Sequence, residues 1–203
     1  MVKIDKIIYP RFDIEIYNEL KSNGITEFIS FGKTFVNDTR VLGKGKQGVI
    51  ALLDDKKVIK VRRTDSPKNN MELEAKLQMK AYPASPKVFS FGKNFIIMEY
   101  INGEHLRNKC IPLDLLFKAR YLEENHIQHM EISRPWKNVL IFEKRAYIID
   151  YDSASIRERA FNVNKILSAF RMYDFAYLYK TNKISFDELI SILGHKRSLC
   201  SFP

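Results

Sequence analysis

The sequence places an amide and a carboxylate at the two ends of a predicted β-hairpin. Asn138 stands immediately before a strand predicted at 139–142, and Asp150 immediately follows a strand predicted at 146–149. A tight turn brings the start of the first antiparallel strand beside the end of the second, so the two side chains should lie close together. Amide and carboxylate oxygens suit Mg²⁺. We therefore predict that Asn138 and Asp150 bind Mg²⁺ and that Asp150 takes part in catalysis.

A second carboxylate, Glu131, precedes Asn138 by seven residues. A carboxylate within hydrogen-bond reach of a substrate hydroxyl can orient that hydroxyl and accept its proton, so we predict that Glu131 is catalytic. Asp152 lies two residues beyond Asp150. It either contacts the metal or caps the helix that follows, and the cap is the favoured interpretation.

Three glycines, Gly43, Gly45 and Gly48, follow a G-x-G-x-x-G spacing. In dinucleotide-binding folds such a loop opens a helix, whereas here it leads into the apolar run 49–53, which predicts a strand. A glycine loop between two strands is the arrangement that covers the phosphates of ATP in protein kinases. The alternative is an ordinary glycine-rich hairpin turn.

Lys60 lies between apolar residues in a strand predicted at 56–61. A lysine stays charged in a dry cleft when a carboxylate accompanies it, and Glu74 on the next predicted helix can supply one, with Glu72 as the second choice. In kinases such a lysine contacts the α- and β-phosphates of ATP. We therefore place Lys60 among the nucleotide-binding residues, and both Lys60 and Glu74 among the catalytic ones. The alternative is two charges that face solvent.

The strand predicted at 94–100 leads into the sequence Met98-Glu99-Tyr100-Ile101, and Gly103 follows shortly. This order resembles the kinase hinge, whose backbone groups bind adenine. Met98 would lie at the back of the pocket, with Glu99 and Ile101 beside the nucleotide. As an isolated motif it is weak, because any core strand could have this sequence.

In chain order these segments resemble a protein kinase over roughly residues 39–155. The stretch 129–137 is similar to the H-x-E-L/I-x-x-P-x-K pattern of small archaeal RIO-like atypical kinases, a group that also resembles the kinase subunit of the KEOPS complex. The matching residues are His129, Glu131, Ile132, Pro135 and Lys137. The resemblance implies an RNA kinase that phosphorylates a ribose 2′-hydroxyl of tRNA, with ATP and Mg²⁺ as cofactors. A RIO-like protein serine/threonine kinase and a pseudokinase that only binds are the alternatives; Lys60, Asn138 and Asp150 count against the latter.

The sequence departs from the common kinase pattern at several positions. Glu131 replaces the usual aspartate, and its seven-residue spacing to Asn138 exceeds the usual five. Trp136 occupies the five-residue position, and since indole does not bind Mg²⁺, we interpret the catalytic loop as two residues longer. Tyr151 and Asp152 replace the phenylalanine and glycine of Asp-Phe-Gly. No Ala-Pro-Glu segment is present, and little room remains for an activation loop.

Basic residues outnumber acidic ones, 34 to 24, for a net charge of +10. Such an excess favours a polyanionic partner, although basic proteins are common. We predict that RNA contacts lie near the cleft mouth, with Trp136 either stacking on a base or anchoring the loop in the core, and the basic groups either contacting RNA or facing solvent. The predicted substrate residues are Arg134, Trp136, Lys137, Arg157 and Arg159.

The order of elements predicts an α+β, two-lobed kinase-like fold. Residues 1–38 form an N-terminal extension with one helix, 39–101 the small lobe, and 102–203 a reduced large lobe, with ATP between the lobes. Helices are predicted at 11–23, 69–82, 113–125, 160–179 and 185–194, and Ser185 with Glu188 has the spacing of a capping box. Strands are predicted around the glycine loop and at the hairpin.

The composition excludes several other classes of protein. No apolar run approaches the roughly 18–20 residues that span a bilayer, and the first residues do not resemble a signal peptide. Cys110 and Cys200 alone do not make a disulfide framework, so a reducing cytoplasm is the expected compartment. The cysteines and four histidines lack the spacing of a zinc site, and no membrane partner is expected.

Overall fold

The computed structural model describes residues 1–107, 110–195 and 199–200. The chain divides into two compact units. We call Met1–Met79 with Lys87–Tyr100 the N-terminal unit, and Lys80–Pro86 with the described residues from Ile101 onward the C-terminal unit. The mixture of helices and sheet agrees with the predicted fold class, while the boundaries predicted at 38/39 and 101/102 stay predictions.

The N-terminal unit is built on a five-stranded antiparallel sheet in the order β5-β6-β7-β9-β8. Two short strand pairs, β1-β2 and β3-β4, accompany it. The elements are β1 Val2–Lys3, a 3-10 helix Ile4–Ile7, α1 Ile14–Ser22, β2 Glu27–Phe28, β3 Thr34–Val36, β4 Thr39–Val41, β5 Gly43–Lys44, β6 Gly48–Leu52, β7 Lys57–Arg62, α2 Glu72–Ala81, β8 Val88–Phe91 and β9 Phe95–Glu99.

The N-terminal helix packs into the same core as the sheet. Asp13 caps α1 by accepting hydrogen bonds from the amides of Glu15 and Ile16, and Gly24 follows in the left-handed region at φ +76°. The predicted helix is therefore confirmed, starting three residues later. Its buried face joins side chains of the sheet in one apolar cluster, whose members are Ile4, Ile7, Ile8, Ile16, Leu20, Ile25, Phe28, Val36, Val41, Val49, Ala51, Ile59, Val61 and Phe95.

Helix α2 forms where predicted, and its buried face carries Glu74 and Gln78 beside the apolar Ala75 and Leu77. Leu73 and Met79 are 64% and 50% exposed, whereas Glu74 and Gln78 are buried. The reason is tertiary: these polar groups have partners on β7 and β9, namely Lys60 and Met98. Apolar spacing alone does not identify the inward face of this helix.

The C-terminal unit contains five helices and short strands. Strands β10, β13 and β14 form one sheet, β11 pairs with β16, and β12 pairs with β15. The elements are β10 Glu104–His105, β11 Ile111–Pro112, α3 Leu113–Glu124, β12 Ile127–Gln128, α4 Pro135–Asn138, β13 Val139–Phe142, β14 Arg145–Ile148, β15 Ser155–Ile156, α5 Asn162–Ala169, α6 Tyr173–Lys180, α7 Phe186–His195 and β16 Leu199–Cys200.

Two local predictions for this unit are confirmed. Strands β13 and β14 form the expected hairpin, with Val139 opposite Ile148, and its turn residues Glu143 and Lys144 adopt positive φ. At α7, the amide of Glu188 donates to Ser185 Oγ, while the amide of Ser185 donates to the Glu188 carboxylate. This reciprocal pair is the predicted capping box.

The helix predicted at 160–179 is instead two helices. Arg171, between α5 and α6, adopts φ +61°, which a continuing right-handed helix does not allow. The amide of Met172 bonds back to the carbonyl of Leu167, a pattern that ends a helix. The apolar periodicity continues across Arg171, so the sequence pattern did not indicate the break between the two helices.

Cys110 and Cys200 form a disulfide with an S–S distance of 2.08 Å. The sequence, with only two cysteines, did not predict this bond. The bond joins residues 90 positions apart, next to the parallel pairing of β11 with β16. Within the described residues no helix is both long and apolar enough to cross a membrane.

Candidate active site

A buried ion pair lies at the centre of the N-terminal unit. Lys60 is on β7, with Ile50 and Ile96 as its neighbours on the flanking strands. Its Nζ lies 2.6 Å from Glu74 Oε1. Lys60 and Glu74 are only 5% and 7% exposed, so each compensates the charge that the other buries.

Glu72, the second choice for the lysine partner, lies elsewhere on α2. Its carboxylate is 3.6 Å from Lys76 Nζ, and both side chains are exposed. Lys60 thus pairs with Glu74, whereas Glu72 forms an ion pair with Lys76 one turn further along the same helix.

The three glycines form the hairpin between β5 and β6. The amide of Gly45 donates to the carbonyl of Gly48 at 2.9 Å. A Cβ at Gly48 would lie 2.8 Å from the carbonyl oxygen of Val61 and 3.1 Å from Cγ of Lys60, whereas a Cβ at Gly43 would meet nothing within 4 Å. Gly48 is therefore required for packing against β7, while Gly43 and Gly45 leave open space over the hairpin.

The predicted hinge segment has one buried side chain and one unused amide. Met98 is buried, and its Sδ accepts a hydrogen bond from Gln78 Nε2. The amide of Glu99 donates to the carbonyl of Lys87. The next residue but one is Ile101, and no hydrogen-bond partner of its backbone amide is found among the described residues. A backbone donor is thus available there for a ligand.

In the C-terminal unit, the loop after β12 is held by buried polar groups. His129 is fully buried, and its Nε2 donates to the carbonyl of Ile149, at 3.1 Å. The amide of His129 donates to Oδ1 of Asn162 at 2.9 Å, and its ring meets that of Tyr151 edge-on, with centroids 5.0 Å apart. Burial lowers the pKa of His129 below its usual value, which favours the neutral ring.

A one-turn helix, α4, accommodates the two extra residues of the catalytic loop. Pro135 is its first residue and Asn138 its last. Asn138 Nδ2 donates to the backbone carbonyl of Glu131 at 2.8 Å. The Asn138 side chain therefore contacts the residue predicted to be catalytic, although seven positions separate them instead of the usual five. The amide of Ile149 donates to the carbonyl of Asn138 at 2.9 Å, which places Asn138 beside the residue before Asp150.

The residues present fit the requirements of a Mg²⁺ site. Because Nδ2 of Asn138 is used by Glu131, its Oδ1 remains as a possible ligand. Asp150 is exposed and adopts φ +66° two residues after the last residue of β14, a left-handed conformation that costs free energy and often occurs at functional sites. Among the described residues no cluster of three or more His, Cys, Asp or Glu side chains is suited to a metal. One amide and one carboxylate suffice for Mg²⁺, which usually keeps several waters.

Asp152 does not cap the following helix, contrary to the favoured interpretation. The next helix, α5, has Phe161 at its N-cap position and no side-chain cap. Between Asp150 and α5 the chain forms β15, which pairs with β12 just before the catalytic loop. The short connection 151–161 is consistent with the lack of an activation loop.

The predicted substrate residues fall into two groups. Arg134, Trp136 and Lys137 are exposed on or beside α4, and Arg134 Nη1 lies 3.9 Å from Glu131 Oε1. Trp136 is 49% exposed and touches Phe170 only edge-on, at 6.4 Å between centroids. The interpretation of Trp136 as a buried core anchor is therefore wrong.

The second group precedes α5. Arg157 Nε donates to Ser155 Oγ, and Arg159 donates to the carbonyl of Lys180 while its guanidinium lies 5.1 Å from the ring centroid of Phe161. No hydrogen bond or ion pair found in the described part of the chain joins the two groups.

Sequence reasoning missed the residue that holds the catalytic loop from behind. Asn162 is fully buried; its Oδ1 accepts from Gln128 Nε2 and from the amide of His129, and its Nδ2 donates to the carbonyl of Ile127. No sequence signal identified it, because its burial and its hydrogen bonds depend on segments more than 30 residues away.

The fold resembles structures of aminoglycoside phosphotransferases. Protein-family models and curated proteins give no match to the sequence. Among solved structures, the ternary complex of APH(2″)-IIa with streptomycin and ATP has a TM-score of 0.51 at 16% identity, covering 86% of this chain and 84% of that one. The gentamicin complex of APH(2″)-IIa gives 0.49 at 16% identity, covering 84% of this chain and 87% of that one. ADP-bound aminoglycoside phosphotransferase APH(2″)-Ib has a TM-score of 0.46 at 14% identity, covering 91% of this chain and 96% of that one. The chain thus has a protein-kinase-like fold.

Proposed function

We propose that this protein is an ATP-dependent RNA kinase of the RIO-like type that phosphorylates a ribose 2′-hydroxyl of tRNA. One observation carries the kinase assignment. Asn138 bonds by its side chain to the carbonyl of Glu131 and by its backbone to Ile149, next to Asp150. These contacts support the proposal, because they hold the backbone of Glu131, Asn138 and the residue before Asp150 in one network, and phosphoryl transfer depends on positioning such groups.

The nucleotide-binding role falls to the N-terminal unit and the hinge. Lys60, kept charged and oriented by Glu74, would contact ATP phosphates, and the hairpin of Gly43, Gly45 and Gly48 would cover them. The adenine would take a hydrogen bond from the free amide of Ile101, with Glu99 and Met98 beside it. On this proposal residues 39–101 act as the small lobe, 102–203 as the large lobe and 1–38 as an extension.

The chemistry is a displacement at the γ-phosphorus. The 2′-oxygen forms a bond to this phosphorus as the bond to the β,γ-bridging oxygen breaks, and ADP leaves. Glu131 orients the hydroxyl and takes its proton. Mg²⁺, held by Asn138 and Asp150, would supply neutralisation of the phosphate charge.

Charge favours RNA as the acceptor. The net charge is +10, and Arg134, Lys137 and Arg157 are exposed near the catalytic loop or in the connection that follows it. We assign these, with Trp136 and Arg159, to RNA contacts. The streptomycin and gentamicin bound by the structural neighbours are polycations, which a strongly basic protein would repel rather than attract.

A tRNA substrate implies a cytoplasmic protein. Cytoplasmic thiols are normally kept reduced, so on this proposal the bond between Cys110 and Cys200 forms there only transiently. The kinase chemistry does not depend on it, since neither cysteine is among the residues assigned to ATP or Mg²⁺.

The proposal is tested with γ-labelled ATP, total tRNA and a generic protein substrate. We expect label in tRNA. We also expect the phosphodiester bond on the 3′ side of the labelled ribose to resist alkali, because alkaline cleavage of that bond needs a free 2′-hydroxyl. A DNA oligonucleotide, which lacks that hydroxyl, is the matched control and should stay unlabelled. Brisk labelling of serine or threonine in the protein without label in tRNA would replace the RNA acceptor by a protein one.

A further inference from the structure

A cavity of about 510 Å³ lies against the catalytic loop in the C-terminal unit. Its wall is formed on one side by Ser133, two residues after Glu131, and on the other by side chains of α5 and the end of α6. The residues that line it include Ser133, Phe161, Asn164, Lys165, Ser168 and Lys180. The volume lies within the usual range for small-molecule sites.

Lys165 connects this cavity to the catalytic loop. Its Nζ donates to the carbonyl of Met130, the residue before Glu131, at 2.9 Å. Partial burial lowers the pKa of Lys165 below its usual value, and among the described residues no carboxylate pairs with its ammonium. A cation at this place is therefore available to an anionic ligand.

The cavity is basic and polar. Lys180 contributes a second cation, whose Nζ lies 5.4 Å from the ring centroid of Phe161. Ser133 and Ser168 offer hydroxyls, and no carboxylate is among the described residues that line it. A neighbouring cavity of about 600 Å³ shares Phe161, Asn164 and Lys180 with it but is also lined by four glutamates: Glu123, Glu124, Glu158 and Glu188.

Asn164 adds a buried polar group to the wall. It is 8% exposed, its Nδ2 donates to the carbonyl of Ala176, and its Oδ1 has no hydrogen-bond partner within the part of the chain that is described. Buried amide oxygens are normally bonded, so an unpaired one beside two lysines points to a polar ligand rather than to an apolar one.

We propose that this cavity binds one nucleotide of the acceptor RNA, with its phosphate at Lys165 and Lys180 and its sugar or base against Ser133 and Phe161. The proposal rests on the RNA kinase function and deepens it, since it assigns a substrate subsite to a cavity whose wall includes Ser133, two residues after Glu131. An anion held at Lys165 is adjacent to the loop that carries Glu131, which would fix the neighbouring ribose for transfer.

The test titrates the protein with 5′-CMP and, separately, with cytidine, in the presence of excess ADP. We expect CMP to bind and cytidine to bind at least tenfold more weakly, because hydrogen bonds to a charged group contribute strongly. Lys180→Ala should weaken CMP binding by roughly tenfold, since its side chain lines the cavity. Lys183→Ala is the matched control: Lys183 lines only the glutamate-rich cavity and should leave CMP binding unchanged.

Turnover assays separate this subsite from the function itself. Lys180→Ala should raise KM for tRNA severalfold and leave kcat within about threefold, as expected for lost ground-state binding. If tRNA is phosphorylated but CMP does not bind, or binds equally well to Lys180→Ala, the subsite is wrong and the function stands. If CMP binds through Lys180 while tRNA stays unlabelled, the nucleotide site stands and the RNA kinase function falls.

Discussion

The two units present their candidate site residues in opposite ways. In the N-terminal unit, Lys60 and Glu74 are both buried, on a central strand and on a helix packed against the sheet. In the C-terminal unit, Asp150 is exposed and Glu131 is half-buried, both in loops. Here the buried polar group is Asn162, which lies behind the loop and bonds to it.

This difference follows from what each set of residues does. A lysine that stays charged inside a core depends on a nearby carboxylate, so breaking this buried ion pair lowers stability. A carboxylate at the surface keeps its hydration and can exchange it for a metal or a hydroxyl. We therefore expect changes in the N-terminal pair to lower stability first, and changes at the exposed carboxylates to lower turnover first.

The largest expected effect is that of Asp150→Asn on turnover. Loss of an anionic Mg²⁺ ligand removes several kcal/mol of charge stabilisation, which corresponds to about a thousandfold or more in rate. The variant should unfold near the wild-type temperature, since asparagine keeps the size of the Asp150 side chain and tolerates its positive φ. Asp152→Asn is the control and should stay within about tenfold of wild type; an inactive Asp152→Asn beside an active Asp150→Asn would transfer the metal role to Asp152.

Glu74→Ala tests the buried pair through stability. The free energy of unfolding, measured by urea denaturation, should fall by about 3–5 kcal/mol because the buried ammonium of Lys60 loses its carboxylate partner at 2.6 Å. Glu72→Ala, on the same helix but exposed and paired only with Lys76, should change it by less than about 0.5 kcal/mol. Equal losses in the two variants would contradict the burial argument.

Asn162→Ala tests whether the catalytic loop is held from behind. The change leaves the amide of His129, Nε2 of Gln128 and the carbonyl of Ile127 without this partner, and unfolding free energy should fall by about 1–3 kcal/mol. We also expect kcat to fall while the Kd for ATP stays constant. A stability loss with unchanged kcat would show that Asn162 supports the fold and not the loop geometry.

The smallest expected effect is the contribution of His129 to pH dependence. Burial lowers the pKa of His129 below its usual value near 6.5, so the unfolded chain binds a proton that the folded chain resists. The contribution of His129 to the free energy of unfolding is therefore fully present above about pH 6.5 and is lost as pH falls, by at most about 1.4 kcal/mol per pH unit. His129→Gln should remove this part of the slope between about pH 7.5 and 5.5. His126→Gln, at an exposed histidine, should retain it.

Much of the local structure could be predicted because its cause is local. Helix α3 buries Leu115, Leu116, Ala119 and Leu122, the face predicted from their spacing, because one apolar stripe at helical period has only one way to be buried. The capping box at Ser185 and the hairpin turn at Glu143 and Lys144 are likewise set by a few adjacent residues.

Other features depend on contacts between distant segments. On α2 the Lys60–Glu74 pair was predicted, but the burial of Gln78 against Met98 on β9, with Met79 left exposed, depends on the tertiary contact. The apolar pattern at 160–179 contains no signal for the break at Arg171. The disulfide joins Cys110 to Cys200 across 90 residues, and two isolated cysteines carry no information on whether they meet.

By itself the sequence determined which residue types were available for chemistry and that Asn138 and Asp150 would flank the paired ends of one hairpin. Strand pairing with a tight turn permits little else. Only the tertiary structure decided how Asn138 reaches Glu131 across a longer loop, because a single turn of helix absorbs the extra residues. The same holds for Asn162 and the basic cavity at Lys165. Hydrogen bonds between segments more than 30 residues apart position both, and these depend on packing rather than on sequence spacing.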